Sequence, residues 1–446
     1  MWIHDSIGTV TRRRGAVGAV LALLCCGLPG AVLSPTACAA AEPAAAVESQ
    51  RLQIAPSFMR LELGATREFA VRIAGGGVAG GKAPAVVSWS VNDVRGGGSE
   101  FGTITPDGVY TAPKRVPAFN EVCITAAIDD GGRKRELWAT VLIGPFNPEY
   151  TAVATWPARP GGPGEFSPPH GICFDADGNL VVSDSDKARV YRLSPQGKYL
   201  DELDPSPEKY EGPRDATVDA DGNILVVDGN KGRVFVFDRS GKFITAWGEK
   251  GSAPGELSRP HGIAIGKHGR IYIVDVDNGR VQVYDPAGHF LFQWGARGAG
   301  PGEFKAAHGI AVDPNGNIFV CEWVGGRCQK FTPEGVHLQT FAVLPRDGER
   351  AYHAMTCDRY GNVYLATKGV IRNRWPSTLD KYNNEGDYIT VIALPPTPER
   401  RHYRPSTAAV GKDGRVYVTN GAGGKVGVDV FAPGPPAVKE KTDRGG

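Results

Sequence analysis

From Arg51 onward, short runs in which apolar and polar residues alternate are separated by clusters of Gly, Asp, Asn and Pro. A period of two, broken every few residues by turn formers, predicts strands and an all-β chain. Between Arg51 and Gly144 the predicted strands include Leu61-Glu62-Leu63, Glu68-Phe69-Ala70-Val71, Val87-Ser88-Trp89-Ser90-Val91, Val122-Cys123-Ile124-Thr125 and Ala139-Thr140-Val141-Leu142. Gly-rich turns separate them, and about 95 residues of this kind suit a β-sandwich with Trp89 in its core. The 60 glycines and 34 prolines are too many for a helical protein and fit this reading.

After Gly144 the pattern becomes a repeat. His170, Arg214, His261, His308, His353 and Ser406 open six similar units, at steps of 44, 47, 47, 45 and 53 residues. Eight residues after each stands a glycine: Gly178, Gly222, Gly269, Gly316, Gly361 and Gly414. An acid follows at Asp184, Asp228, Asp275 and Glu322, and an arginine five residues later at Arg189, Arg233, Arg280 and Arg327. The acid and arginine are expected to pair across the hairpin between the second and third strands. Four strands per unit of about 45 residues describe a propeller blade. The sixth unit stops after its third strand, near Phe431, and the missing outer strand is expected upstream, at Thr151 to Trp156. Pairing the two ends would close the ring and remove its open edges.

The wording Val87-Ser88-Trp89, Gly102-Thr103-Ile104 and Gly108-Val109-Tyr110-Thr111-Ala112-Pro113 resembles bacterial Ig-like domains of surface proteins. The Asp-x-x-x-Gly-Arg hairpins and His-Gly-Ile entry strands resemble NHL repeats in all six units. The resemblances imply an N-terminal Ig-like β-sandwich (51–145) followed by a six-bladed NHL β-propeller (147–435). From Pro213 to Tyr284 the text is also similar to the lyase domain of peptidylglycine α-amidating enzymes, a six-bladed propeller that holds a catalytic zinc by entry histidines. That resemblance implies His170, His261 and His353 as zinc ligands. The tyrosine and arginine that the lyase uses fall on Asn230 and Val276 in this chain.

Charge and composition narrow the surroundings. Arg12 to Arg14, the apolar run Ala16 to Leu28 and the small residues Ala37 to Ala41 read as an export signal over residues 1–41, followed by an Ala/Pro/Glu linker at 42–50. Residues 436–446 read as a disordered tail. Three arginines against one aspartate give the leader +2, so the chain's formal +2 leaves the remainder balanced at zero. No basic stripe remains, which argues against a nucleic-acid partner, and no later stretch is long and apolar enough to span a bilayer. The protein is expected to be exported to the periplasm, the medium or the cell surface. In that setting Cys321 and Cys328, placed symmetrically about Val324-Gly325, are expected to form a disulfide. Cys123, Cys173 and Cys357 read as small buried apolar residues.

Candidate chemistry concentrates at the six entry positions, which hold His, Arg, His, His, His and Ser. In a propeller these side chains ring the channel mouth. His170, His261 and His353 lie on alternate blades and could hold Zn²⁺ from three directions, leaving a position open; the alternative is that they bond a neighbouring backbone and hold nothing. His308 is the candidate general base, or one more structural histidine. Arg214 suits an anionic group such as a carboxylate. An insertion in the blade-five hairpin carries Arg374 and Trp375, candidates for ligand contact. The Asp175-Ala-Asp-Gly-Asn and Asp219-Ala-Asp-Gly-Asn segments read as turns rather than calcium loops. Two functions remain open: a propeller that binds a small-molecule or peptide ligand, or an envelope protein, and a zinc-dependent lyase or hydrolase.

Overall fold

The computed structural model describes residues 52–73, 85–145, 147–157, 167, 169–342, 351–368, 378–392, 405–420 and 427–434. The expected leader, linker and tail lie outside the described residues. Among the described residues the only helical segment is a 3-10 turn at Lys267–Gly269, and no helix is long and apolar enough to cross a membrane.

Six four-stranded antiparallel sheets form the blades of a propeller. Their first strands are Gly171–Phe174, Pro213–Val218, Pro260–Ile265, Ala307–Val312, Ala351–Cys357 and Pro405–Val410. The second strands, such as Ile224–Asp228 and Ile271–Asp275, are buried at every position. Both of their faces are covered, because each blade packs between two others. Val181 and Val190 of blade one share a core with Ile224, Val226, Phe235 and Phe237 of blade two. Each such side chain contributes about 1.5–3 kcal/mol of burial, which explains the loss of alternation in these Val/Ile-rich runs.

The ring closes as the repeat pattern predicts. Strand Glu149–Pro157 pairs antiparallel with Gly427–Gly434, from Glu149 opposite Gly434 to Pro157 opposite Gly427. Thr155 donates from Oγ1 to Asp429 Oδ1 at 2.6 Å. Trp156 then does for blades six and one what Trp247 and Trp294 do for later blades. Each of these rings lies over a positive-φ glycine in the third-to-fourth-strand turn of the following blade: Gly197, Gly288 and Gly335. Any side chain at those glycines would strike the indole, so the Trp and Gly periodicities in the sequence are one packing device.

Residues 52–143 build sheets around a separate core that includes Trp89, Val91, Tyr110, Ile124 and Val141. A five-stranded sheet runs Phe58–Leu61, Arg133–Ile143, Glu121–Asp130, Val86–Val91, Val94–Arg95, and a four-stranded sheet contains Val109–Thr111 between Thr66–Glu68 and Gly102–Ile104. Two expected strands are displaced. Leu61 ends its strand and Leu63 is exposed, because Glu62 to Ala65 make a turn in which the Ala65 N–H donates to the Glu62 carbonyl. Phe69 interrupts a continuous strand at Glu68 to Val71, and turns into the core.

These sheets meet blades four and five, at two turns and at the third strand of blade five, Leu379–Tyr382. Asn315 Nδ2 donates to the Glu136 carbonyl at 2.7 Å, Asn383 Nδ2 to the Ser57 carbonyl at 3.2 Å, and Lys381 Nζ to Glu121 Oε1 at 2.6 Å. The turns involved follow first or third strands, so the N-terminal sheets cover the face opposite the entry residues.

Cys321 and Cys328 are Cα partners across the blade-four hairpin, but both are free thiols, contrary to the expected disulfide. Both side chains are packed into the core between blades four and five, where the Gly309 N–H points at the Cys321 sulfur. Burial pushes the Cys321 thiol up to about 12 and holds the Cys328 thiol well above the ordinary thiol range. The other three described cysteines are also free, Cys123 buried and Cys173 and Cys357 partly so.

Candidate metal centre

The His-Gly pairs at the blade entries have a steric cause. A Cβ on Gly171 would lie 2.7 Å from the Asp215 Cα, one on Gly262 3.0 Å from the His308 carbonyl oxygen, and one on Gly309 2.9 Å from the Ala354 Cα. Glycine at that position lets neighbouring entry strands approach closely, which crowds the preceding side chains around the axis.

The second-strand acids hold those entries in place. Asp184, Asp228, Asp275 and Glu322 accept the backbone N–H of Ser167, Glu211, Ser258 and Lys305, at 2.6–2.7 Å. Each donor stands three residues before an entry position. The acids thus satisfy part-buried backbone donors, and they set the direction in which His170, Arg214, His261 and His308 emerge. The expected acid–arginine pairing is correct only in part. Asp275 pairs with Arg280 at 2.8 Å, and Glu322 with Arg327. Arg189 instead reaches Glu202 at 3.0 Å and Arg233 reaches Glu208 at 2.6 Å, because backbone donors occupy both carboxylate oxygens of Asp184 and Asp228, whereas Asp275 and Glu322 keep one oxygen for the arginine.

Candidate ligand nitrogens of His170, His261 and His353 all lie within 4.8 Å of one another. Their ring centroids are 5.1–6.2 Å apart. His353 is buried and donates from Nδ1 to the Ser406 carbonyl at 2.8 Å, so its Nε2 carries the lone pair. Burial holds His261 well below the usual imidazole range, aided by His308, His353, His170 and Arg214 around it, and keeps it neutral. A neutral imidazole with a fixed tautomer is the form that binds a metal. His170 differs: its Nδ1 accepts from Arg214 Nη1 at 3.2 Å. Ligation by His170 requires that bond to break or the ring proton to move. Nitrogens at 2.0–2.1 Å from one tetrahedral ion stand about 3.4 Å apart, so the cluster fits an ion after a small inward closure of the side chains.

His308 is not a member of this triad. It stacks against His261 at 3.6 Å between centroids, and its Nδ1 donates to the His353 carbonyl at 2.6 Å. Arg214 lies beside the triad, its Nε buried without a hydrogen-bond partner. Arg374 and Trp375 lie outside the described residues. Asn230 donates to the Glu211 carbonyl, and Val276 is buried in the core between blades three and four. Both therefore serve the loops and packing. The two Asp-Gly-Asn turns close on themselves: Asp175 and Asp219 each accept the N–H groups two and four residues on.

Two mouth residues have no counterpart among the sequence candidates. Trp323 lies 5.4 Å from the His308 ring and 5.5 Å from the His353 ring, forming an aromatic wall. Asp215 stands where blades one, three and four have the entry glycine. Its carboxylate accepts the N–H of Ala216 at 2.9 Å and of Ile263 at 3.5 Å. The substitution of Asp for Gly in a single blade was the available signal.

Burial pushes the Asp215 carboxyl up to about 7, against the two backbone donors that lower it. The folded state then holds a proton that the unfolded chain releases near pH 4, so this group's contribution to stability falls as pH rises from about 4 to 7. Asp215→Asn is expected to remove that slope and to be the more stable protein at pH 8, by up to about 4 kcal/mol. Urea melts of both proteins at pH 4.5 and pH 8 test this; parallel pH dependences would refute it.

A family described as a 6-bladed beta-propeller (DUF5128) matches residues 216–285 and 267–390. A search among curated proteins gives no match. Among solved structures, a protein of unknown function from Bacteroides thetaiotaomicron aligns at 14% identity and a TM-score of 0.50, over 85% of this chain and 97% of its own. Virginiamycin B lyase from Staphylococcus aureus aligns at 14% identity and 0.44, over 65% and 89%. A gluconolactonase from Xanthomonas campestris aligns at 16% and 0.47, over 66% and 98%. The six four-stranded sheets and the matched family description agree, and the chain is a six-bladed β-propeller.

Proposed function

We propose that the channel mouth is a metal-dependent binding site for a small-molecule or peptide ligand with an anionic group such as a carboxylate. His170, His261 and His353 would hold a divalent ion of the zinc type, and that ion would supply a Lewis-acidic position open to the ligand. Arg214 contributes a guanidinium beside it, suited to a carboxylate. Trp323 offers a flat apolar wall, and Arg374 and Trp375 remain proposed contacts on sequence grounds. The observation that carries the reading is the convergence of three entry histidines, with His261 held neutral and the His353 tautomer fixed. Asn230 and Val276 favour binding over amidating-lyase chemistry, because those positions are taken up by loop and core. We read the N-terminal sheets as an Ig-like spacer, the repeats as NHL-type, and the protein as exported to the envelope or beyond it.

A second reading rests on Asp215. A carboxyl that exchanges its proton near neutral pH suits general acid–base catalysis, which favours a zinc-dependent lyase or hydrolase using a residue absent from the amidating-lyase pattern.

Zinc titration of the chelator-treated protein tests the site. His261→Ala and His353→Ala are each expected to weaken zinc binding at least about 100-fold. Arg214→Ala is expected to tighten it, because the variant removes the Arg214 bond to His170 Nδ1 and a positive charge beside the ion. Unchanged zinc affinity in both histidine variants would sink the proposal.

A further inference from the structure

A second site lies on the opposite face, between the N-terminal sheets and blades five and six. A cavity of ≈ 470 Å³ opens there, a volume in the range of small-molecule sites. Phe101, Phe119, Tyr150, Tyr360 and Tyr364 give it aromatic walls. At its base Lys381 and Glu121 form a buried pair, with side-chain exposures of 3% and 8%. Lys381 Nζ donates to Glu121 Oε1 at 2.6 Å and to the Tyr150 hydroxyl at 3.3 Å. Glu121 Oε2 is buried and has no hydrogen-bond partner. A carboxylate oxygen left in that state is costly, and an incoming donor would satisfy it.

The lining selects the charge of what enters. Glu121, Asp358 and Asp413 are matched by Lys381, Arg359 and Lys412, three acids against three bases. Cys123 and Cys357 also line the cavity, and burial pushes both thiols well up, so they stay protonated and add no charge. The place a ligand cation would take among aromatic rings is held by Lys381 itself, 5.2–6.0 Å from the Phe119, Tyr150 and Tyr364 centroids. An anion would meet Glu121. What fits is a neutral ring with hydroxyl donors on its edge and C–H groups on its face.

We propose that this cavity binds a saccharide, a neutral polyhydroxylated ring whose hydroxyls donate to Glu121 and whose apolar face rests on the aromatic walls. The rim spans two parts of the molecule: the Tyr360 hydroxyl donates to Asp93 at 2.9 Å, and Arg359 pairs with Asp93 at 2.8 Å. A bound saccharide therefore also fastens the N-terminal sheets to blade five. This site is independent of the histidines and stands whether or not they hold a metal.

Calorimetric titration of the full chain with glucose and N-acetylglucosamine, beside glucosamine and glucuronate as charged analogues, tests it. The neutral sugars are expected to bind at least tenfold more tightly than either charged analogue. Glu121→Gln keeps an oxygen for Lys381 and turns the unpartnered acceptor into a donor, and it should weaken neutral-sugar binding tenfold or more. Tyr360→Ala, at the partly exposed rim, should weaken it severalfold without disturbing the buried pair, and it decides the matter if Glu121→Gln does not fold. No binding of either neutral sugar at about 10 mM, tighter binding of a charged analogue, or affinity unchanged in the folded variants overturns the proposal.

Discussion

A chain beginning at residue 158 is expected to melt more than about 10 °C below one beginning at residue 147, or to fail to fold. The difference between them is residues 147–157, chiefly the strand Glu149–Pro157, which supplies the outer edge of blade six. Without it Gly427–Gly434 becomes an open edge with a row of unpaired backbone groups. The core between blades six and one loses Ala154 and Trp156, which pack against it, and Trp156 no longer covers Gly197. Strand pairing, the Thr155–Asp429 hydrogen bond and this packing together amount to more than about 5 kcal/mol. Both truncated chains lack Glu121, so the comparison isolates the closing strand. Thermal melts that coincide would show that the ring does not depend on it.

The second large effect is expected at the buried pair. Glu121→Leu leaves the Lys381 ammonium buried with the Tyr150 hydroxyl as its remaining hydrogen-bond partner, and breaking such a pair costs about 3–5 kcal/mol. Burial alone would lower the Lys381 pKa, and the Glu121 charge is what holds it above the ordinary range. Adding Lys381→Met to Glu121→Leu replaces the pair by apolar groups of similar length and should restore most of the lost stability. Urea denaturation of the wild type, the single variant and the double variant measures the cycle. A double variant no more stable than the single one would mean that the unpaired Lys381 charge is not what destabilises Glu121→Leu.

The propeller was legible because its signals repeat. Six entry positions, six glycines eight residues on, and a sixth unit short of one strand were enough to predict closure by Thr151 to Trp156. The N-terminal strands do not repeat, and there the alternation around Leu61 and Leu63 did not reveal the turn at Glu62 to Ala65. At the mouth, the three histidines were visible by type and spacing. The role of Asp184, Asp228, Asp275 and Glu322 was not, because their partners are backbone N–H groups, which any residue type supplies. The arginines five residues later looked like the natural partners for that reason. Asp215 was hidden differently: its meaning depends on the glycine it replaces, at the one blade where Arg214 also replaces histidine. The interface cavity draws on segments as far apart as Asn92 and Pro433, and no local pattern marks such a place.

The closing strand also dictates an order of assembly. Thr155 and Asp429, which bond across the seam, are 274 residues apart in the chain. As the polypeptide leaves the ribosome, blades one to five can stack on one another in turn, each needing only its predecessor. Residues 149–157 emerge before blade one and then wait through all six blades for residues 427–434. During that interval the first and last blades present bare edges, and closing so long a loop is entropically slow. The nascent ring is therefore expected to be most prone to misassociation just before its closing strand appears, and to depend on chaperones for that period rather than once closed.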